Sequence, residues 1–104
     1  MAGPSRQGGE QVAERVERKT KEPELHQVVL LNDDYTTMDF VMEVLETVFL
    51  KSPAEAYRIM LMVHTQGRGV CGVYTWEVAE TKADAVATLA REAGFPLRAV
   101  VEEV

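Results

Sequence analysis

Two places in the sequence hold side chains suited to binding chemistry: the triplet Asn32–Asp33–Asp34 and the single residue His64. Two adjacent carboxylates beside an amide can hold a cation, either an ammonium group or a metal. The same short polar residues after an apolar run are also ordinary turn and capping material. His64 follows Met60 and Val63 at helical spacing, so the three share one helix face. A lone histidine on an apolar helix is ordinarily a packed or surface residue. Here, however, its ring stands beside a soft apolar wall, and Met adapts to ligands of varied shape. Met38 and Val41, three apart, offer a similar wall. Together these residues describe an apolar hole lined by Met38, Val41, Met60 and Val63, with a polar rim. A ligand that carries an ammonium group and a large apolar side chain has both matching halves. A protein N-terminus beginning with Leu, Phe, Tyr or Trp is one such ligand. Spacing alone does not bring the two halves together in space.

The elements that must position these residues follow from pattern. Leu25–Leu31 reads as a strand that ends at the polar triplet. Thr36 is the expected N-cap of a first helix, with Asp39 three residues on. That helix is expected to reach about Leu50, with Phe40, Val41, Val44, Leu45 and Val48 as its apolar stripe. Ser52 caps a second helix, Pro53 takes its first position, Glu55 closes the box, and Gly67 stops it after Gln66. Val70–Glu80 reads as β-rich. Thr81 and Asp84 are expected to open a third helix through Ala93, ended by Gly94. Leu97–Glu102 is expected to form the last strand. The order β-α-α-β-α-β predicts an α+β fold: a two-layer sandwich with helices on one face of a three-stranded antiparallel sheet.

Composition sets the outer bounds. A chain of 104 residues allows one small domain. Residues 1–24 have almost no large apolar side chains, so they are expected to form a flexible N-terminal extension, with residues 25–104 as the folded core. The net charge is −6, and all of it falls in the core: twelve acidic against six basic residues there, five against five before it. Such a domain repels nucleic-acid phosphates and suits a cationic partner. The longest strongly apolar run, Val28–Leu31, is too short to span a bilayer. One cysteine, Cys71, excludes an intrachain disulfide. The cytoplasm is the expected compartment. A Cys71–His64 hydrolase is conceivable, but Cys71 lies in an apolar β run, and no phosphate loop or nucleophile elbow is present. His64, His26, Asp33 and Asp34 supply metal-ligand types without a ligand spacing such as His-x-x-x-His. No metal, cofactor or catalytic residue is therefore expected.

The stretch Val29-Leu-Leu-Asn-Asp-Asp-Tyr-Thr-Thr-Met38 closely resembles the signature of the ClpS adaptors of the ATP-dependent Clp protease. So do Ile59-Met60, Val63-His64, Cys71-Gly-Val-Tyr-Thr75, Glu77-Val-Ala-Glu-Thr-Lys82 and Pro96-Leu97. The resemblance runs from about Leu25 to Glu103. It implies a fold similar to the C-terminal domain of the ribosomal stalk protein. A stalk-type interaction module without N-degron binding is the alternative function. The resemblance also implies recognition of N-degrons beginning with Leu, Phe, Tyr or Trp, and delivery to the hexameric AAA+ unfoldase ClpA of ClpAP. By position, Asn32, Asp33, Asp34 and His64 would form the α-amino site. Thr36, Met38, Val41, Met60, Val63 and Leu97 would form the side-chain pocket, with Met38 as gatekeeper against β-branched residues. Glu77 and Lys82 would dock on the unfoldase, the extension would assist delivery, and the adaptor would be a monomer. Two positions depart from the family pattern: Thr37 replaces the usual Pro, and Phe95 replaces a common His. Trp76 has no implied role.

Overall fold

A computed structural model describes residues 23–104. The expected extension therefore lies outside the described residues, except for Pro23 and Glu24. The elements are β1 (Leu25–Leu31), α1 (Met38–Thr47), α2 (Pro53–Gln66), β2 (Arg68–Thr75), α3 (Trp76–Ala93) and β3 (Arg98–Glu103). The order is the expected β-α-α-β-α-β. The sheet is antiparallel throughout, in the order β2-β1-β3, so the first strand is central. No helix among the described residues is long and apolar enough to cross a membrane.

Val28 and Leu30 of β1 join Phe40, Val44 and Leu45 of α1, Ile59 and Val63 of α2, and Val86 of α3 in one core. Side chains alternate along a strand, so Val29 faces away from the helices, yet it too is fully buried. The register supplies a cover. Arg68 pairs with Leu31 on one side of β1 and Glu102 pairs with Gln27 on the other. The Arg68 guanidinium donates to the Glu102 carboxylate at 2.7 Å, and Gln27 donates to the same oxygen. Val29 lies between these two rungs, beneath the polar bridge. A register shift between Val28 and Val29 leaves Cys71 as the extra residue of a bulge in β2. Helix α2 packs close against β2 at Gly69, where a β-carbon would meet Val63 Cγ2 at 2.7 Å and the Ile59 carbonyl at 3.2 Å.

The second helix matches its predicted caps. Ser52 Oγ accepts from the Glu55 amide, Pro53 opens the helix, and Gly67 ends it in the left-handed region at φ 89°. The Glu55 carboxylate, expected to close the box, pairs with Arg58 instead. Three further expectations need correction. The N-cap of α1 is Thr37, whose hydroxyl accepts from the Phe40 amide at 3.1 Å, while Thr36 is drawn to Asp33. Helix α1 stops at Thr47, short of Leu50. Leu50 has φ 56°, which reverses the chain, and the Lys51 amide closes onto the Leu45 carbonyl. Finally, Trp76–Glu80 is helical, and α3 begins five residues before the expected Thr81 cap. The Thr81 hydroxyl instead donates back to the Glu77 carbonyl inside the helix. Ala79, Val86 and Ala90 are the buried residues of α3, and their helical spacing outweighs the β propensity of Trp76 and Val78.

Candidate functional site

The β1–α1 loop is organised by one carboxylate. Asp33 Oδ1 accepts from the amides of Tyr35 at 2.8 Å and Thr36 at 2.7 Å. Its Oδ2 accepts from the Thr36 hydroxyl at 2.7 Å. Burial alone would raise the Asp33 pKa. The Thr36 side chain and the Thr36 and Tyr35 amides outweigh burial and hold it below its ordinary value. Asp33 is thus a charged acceptor at neutral pH, with capacity for one further donor. Asn32 and Asp34 on either side are exposed.

The loop is tied to the end of α2. The Asn32 amide donates to the Gly67 carbonyl at 2.9 Å, and the Gly67 amide donates to the Val63 carbonyl at 3.0 Å. This pair of bonds brings the polar triplet beside the last turn of α2, which carries His64, and that ring is exposed. The carbonyl end of a helix favours a cation, so an ammonium group here would meet Asp33 and the helix end together.

The expected apolar wall divides in two. Val41, Met60, Val63 and Leu97 are buried within the core. Thr36 is half-buried, and Met38 at the start of α1 is 47% exposed. Phe95, one of the departures from the family pattern, packs its ring on Phe40 with centroids 4.9 Å apart. That contact fixes the chain leading to Leu97 against α1.

A cavity of about 320 Å³ opens beside the loop, lined by Leu31, Asn32, Asp33, Tyr35, Pro96 and Arg98. Only Asn32 and Asp33 of the predicted site residues line it. Sequence reasoning passed over the other four. Leu31 and Arg98 face each other only through the β1–β3 register, which no local pattern discloses. Tyr35, 77% exposed, is an aromatic ring directly after the triplet, a signal that was available.

Of the two residues expected to dock a partner, Glu77 is exposed in the first turn of α3. Lys82 is half-buried: its Nζ donates to the Val48 carbonyl at 2.8 Å and sits 5.3 Å from the Tyr74 ring centre. Lys82 thereby ties α3 to the C-cap of α1. Cys71 is buried, and its thiol is pushed up to about 12 by burial. Such a thiol is not a nucleophile at neutral pH.

Comparison with known proteins identifies the family. Residues 21–100 match the family described as ATP-dependent Clp protease adaptor protein ClpS. The Wolinella succinogenes ATP-dependent Clp protease adapter protein ClpS is 58% identical over 82 residues, covering 79% of this chain and 80% of that protein. Its namesake from Paraburkholderia xenovorans is 51% identical over 100 residues, covering 96% and 95%. Among solved structures, Agrobacterium tumefaciens ClpS2 bound to L-phenylalaninamide superimposes with a TM-score of 0.77 at 43% identity. That match covers 80% of this chain and all of that one. The chain therefore belongs to the ClpS family of ATP-dependent Clp protease adaptors, and it is an adaptor, not an enzyme.

Proposed function

We propose that this adaptor binds N-degron substrates beginning with Leu, Phe, Tyr or Trp and delivers them to a ClpA-type AAA+ unfoldase hexamer for degradation by ClpAP. The observation that carries the proposal is the ligand of the Agrobacterium relative. L-phenylalaninamide has a free α-amino group and a benzyl side chain, the two halves that the polar triplet and the apolar wall would take. Asn32, Asp33 and His64 would receive the α-ammonium, with Asp34 supporting the loop. Thr36, Met38, Val41, Met60, Val63 and Leu97 would receive the side chain. Four of these wall residues are core members, so a ligand side chain would enter between α1 and α2 on the side of exposed Met38, the expected gatekeeper. Glu77 and Lys82 would lie on the docking surface. Because Lys82 also braces the fold, Glu77 is the cleaner position for testing docking. The adaptor would act as a cytoplasmic monomer, and its N-terminal extension would assist delivery.

Fluorescence anisotropy with labelled peptides starting with Leu, Phe or Met, each free and N-acetylated, tests the reading. The free Leu and Phe peptides should bind, while the Met peptide and every acetylated peptide should not. Affinity should also fall above pH 8, near the ordinary α-amino pKa of about 8, as the ammonium is lost. Binding that survives acetylation would sink the proposal.

A further inference from the structure

A second group of ligating side chains lies at the end of the sheet where β1 begins, away from the β1–α1 loop. Glu24, His26 and Glu103 each offer one ligand atom, and these atoms lie within 4.8 Å of one another. The register explains the grouping. His26 pairs directly with Glu103 across β1 and β3, so the two side chains share a face. Glu24 precedes His26 by two residues, which puts it on the same side of the chain.

Two observations point to a cation. The first is that His26 Nδ1 is buried without a hydrogen-bond partner among the described residues, whereas buried polar atoms are nearly always paired. The ring is held edge-on against Trp76, with centroids 5.1 Å apart. The second is that the two carboxylates stand close together with no Lys or Arg partner among the described residues. The ion pairs among the described residues are Arg58–Glu55 and Arg68–Glu102, and neither reaches this cluster.

We propose that Glu24, His26 and Glu103 form a site for a divalent transition-metal ion of the zinc type. One imidazole and two carboxylates are a mixed nitrogen–oxygen set that suits a borderline cation, and three protein ligands leave a fourth position open. The ion neutralises the paired carboxylates and takes neutral His26 as a ligand. It ties the chain entering β1 to the end of β3. Trp76, to which the sequence assigned no role, is the wall that holds the imidazole in place. Trp76 also lines a cavity of about 400 Å³ with Pro23, Thr75 and Glu77, so the ion sits beside the start of α3.

Calorimetric titration of the full chain with zinc chloride at pH 7, with NMR of the two histidine rings, tests the site. One saturable site is expected, with zinc-dependent shifts at His26 and not at His64. His26→Gln and Glu103→Gln should each weaken zinc by at least about tenfold, because losing even a group that only orients a ligand costs about 10–100-fold. His64→Gln should leave zinc affinity unchanged, and circular dichroism checks that each variant is folded. Absence of saturable heat, a response at His64, or unchanged affinity in folded His26→Gln would each overturn the site. So would a His26 ring that stays protonated and ignores zinc, because the imidazolium would then be the cluster's own cation. None of these readouts depends on peptide binding.

Discussion

Asp33 uses both carboxylate oxygens to shape the loop that presents it. Its lowered pKa makes that loop acid-sensitive. The folded value lies below the ordinary 3.8, so the contribution to stability is complete above that value and is lost as pH falls through the folded value. NMR titration should show the Tyr35 and Thr36 amides moving below pH 4 while core amides such as Val44 stay in place. Uniform loss across the chain would mean that Asp33 does not organise the loop. Asp33→Ala should cost about 0.5–2 kcal/mol, the usual range for a side chain that caps backbone amides. The sequence showed Asp33 both as turn former and as cation acceptor. It did not show which threonine caps α1, because Thr36 and Thr37 are equally suited by type. The choice is made by Asp33, which captures Thr36 and leaves Thr37 to accept from Phe40. The departure at Thr37 thus brings a capping hydroxyl where a proline would have none.

At the scale of elements, the turn between α1 and α2 holds a conformation that its residue does not favour. Leu50 adopts φ 56° and is 76% exposed, so its side chain contributes little packing to offset the left-handed strain. Leu50→Gly should raise stability by roughly 0.5–1 kcal/mol, the strain relieved less the greater freedom of glycine in the unfolded chain. Chemical denaturation measures this, and a loss of stability would show that the Leu50 side chain matters to the fold. Elements with explicit caps were legible in the sequence. Ser52, Pro53 and Gly67 bound α2 as expected, and β1 matches residue for residue. The start of α3 was not legible: Val70–Glu80 is rich in β-branched and aromatic residues, and Thr75 caps the helix without a side-chain bond. Only burial of Ala79, Val86 and Ala90 against the sheet decides the matter.

Across the whole molecule, the sandwich and strand order follow from one fully apolar stretch, Val28–Leu30, taking the centre of the sheet. The candidate site was half legible for a related reason. Its polar triplet Asn32–Asp34 is contiguous in sequence, while Pro96 and Arg98 reach it only through the pairing of the first and last strands. Cys71, at the bulge between the sheet and the helices, reports on this global packing. Its thiol, raised from 9.0 to about 12 by burial, should resist a disulfide reagent at pH 8 until the whole domain opens. Its labelling rate should therefore follow the unfolding equilibrium measured by denaturant. Fast labelling of the folded protein would mean that β2 separates locally. The same shift predicts a stability contribution that is complete below pH 9 and lost as pH rises towards 12.

The bond from the Asn32 amide to the Gly67 carbonyl has a consequence for motion. Gly67 is also the residue whose amide closes the last turn of α2, so fraying of that helix end and release of the loop are coupled events. The two amides then share an opening step, and hydrogen exchange at Asn32 cannot be much slower than the breathing of the helix end. A molecule that grips the triplet would in turn quiet the end of α2. The loop that Asp33 shapes is thus anchored at its start to a helix terminus more than thirty residues away in the chain.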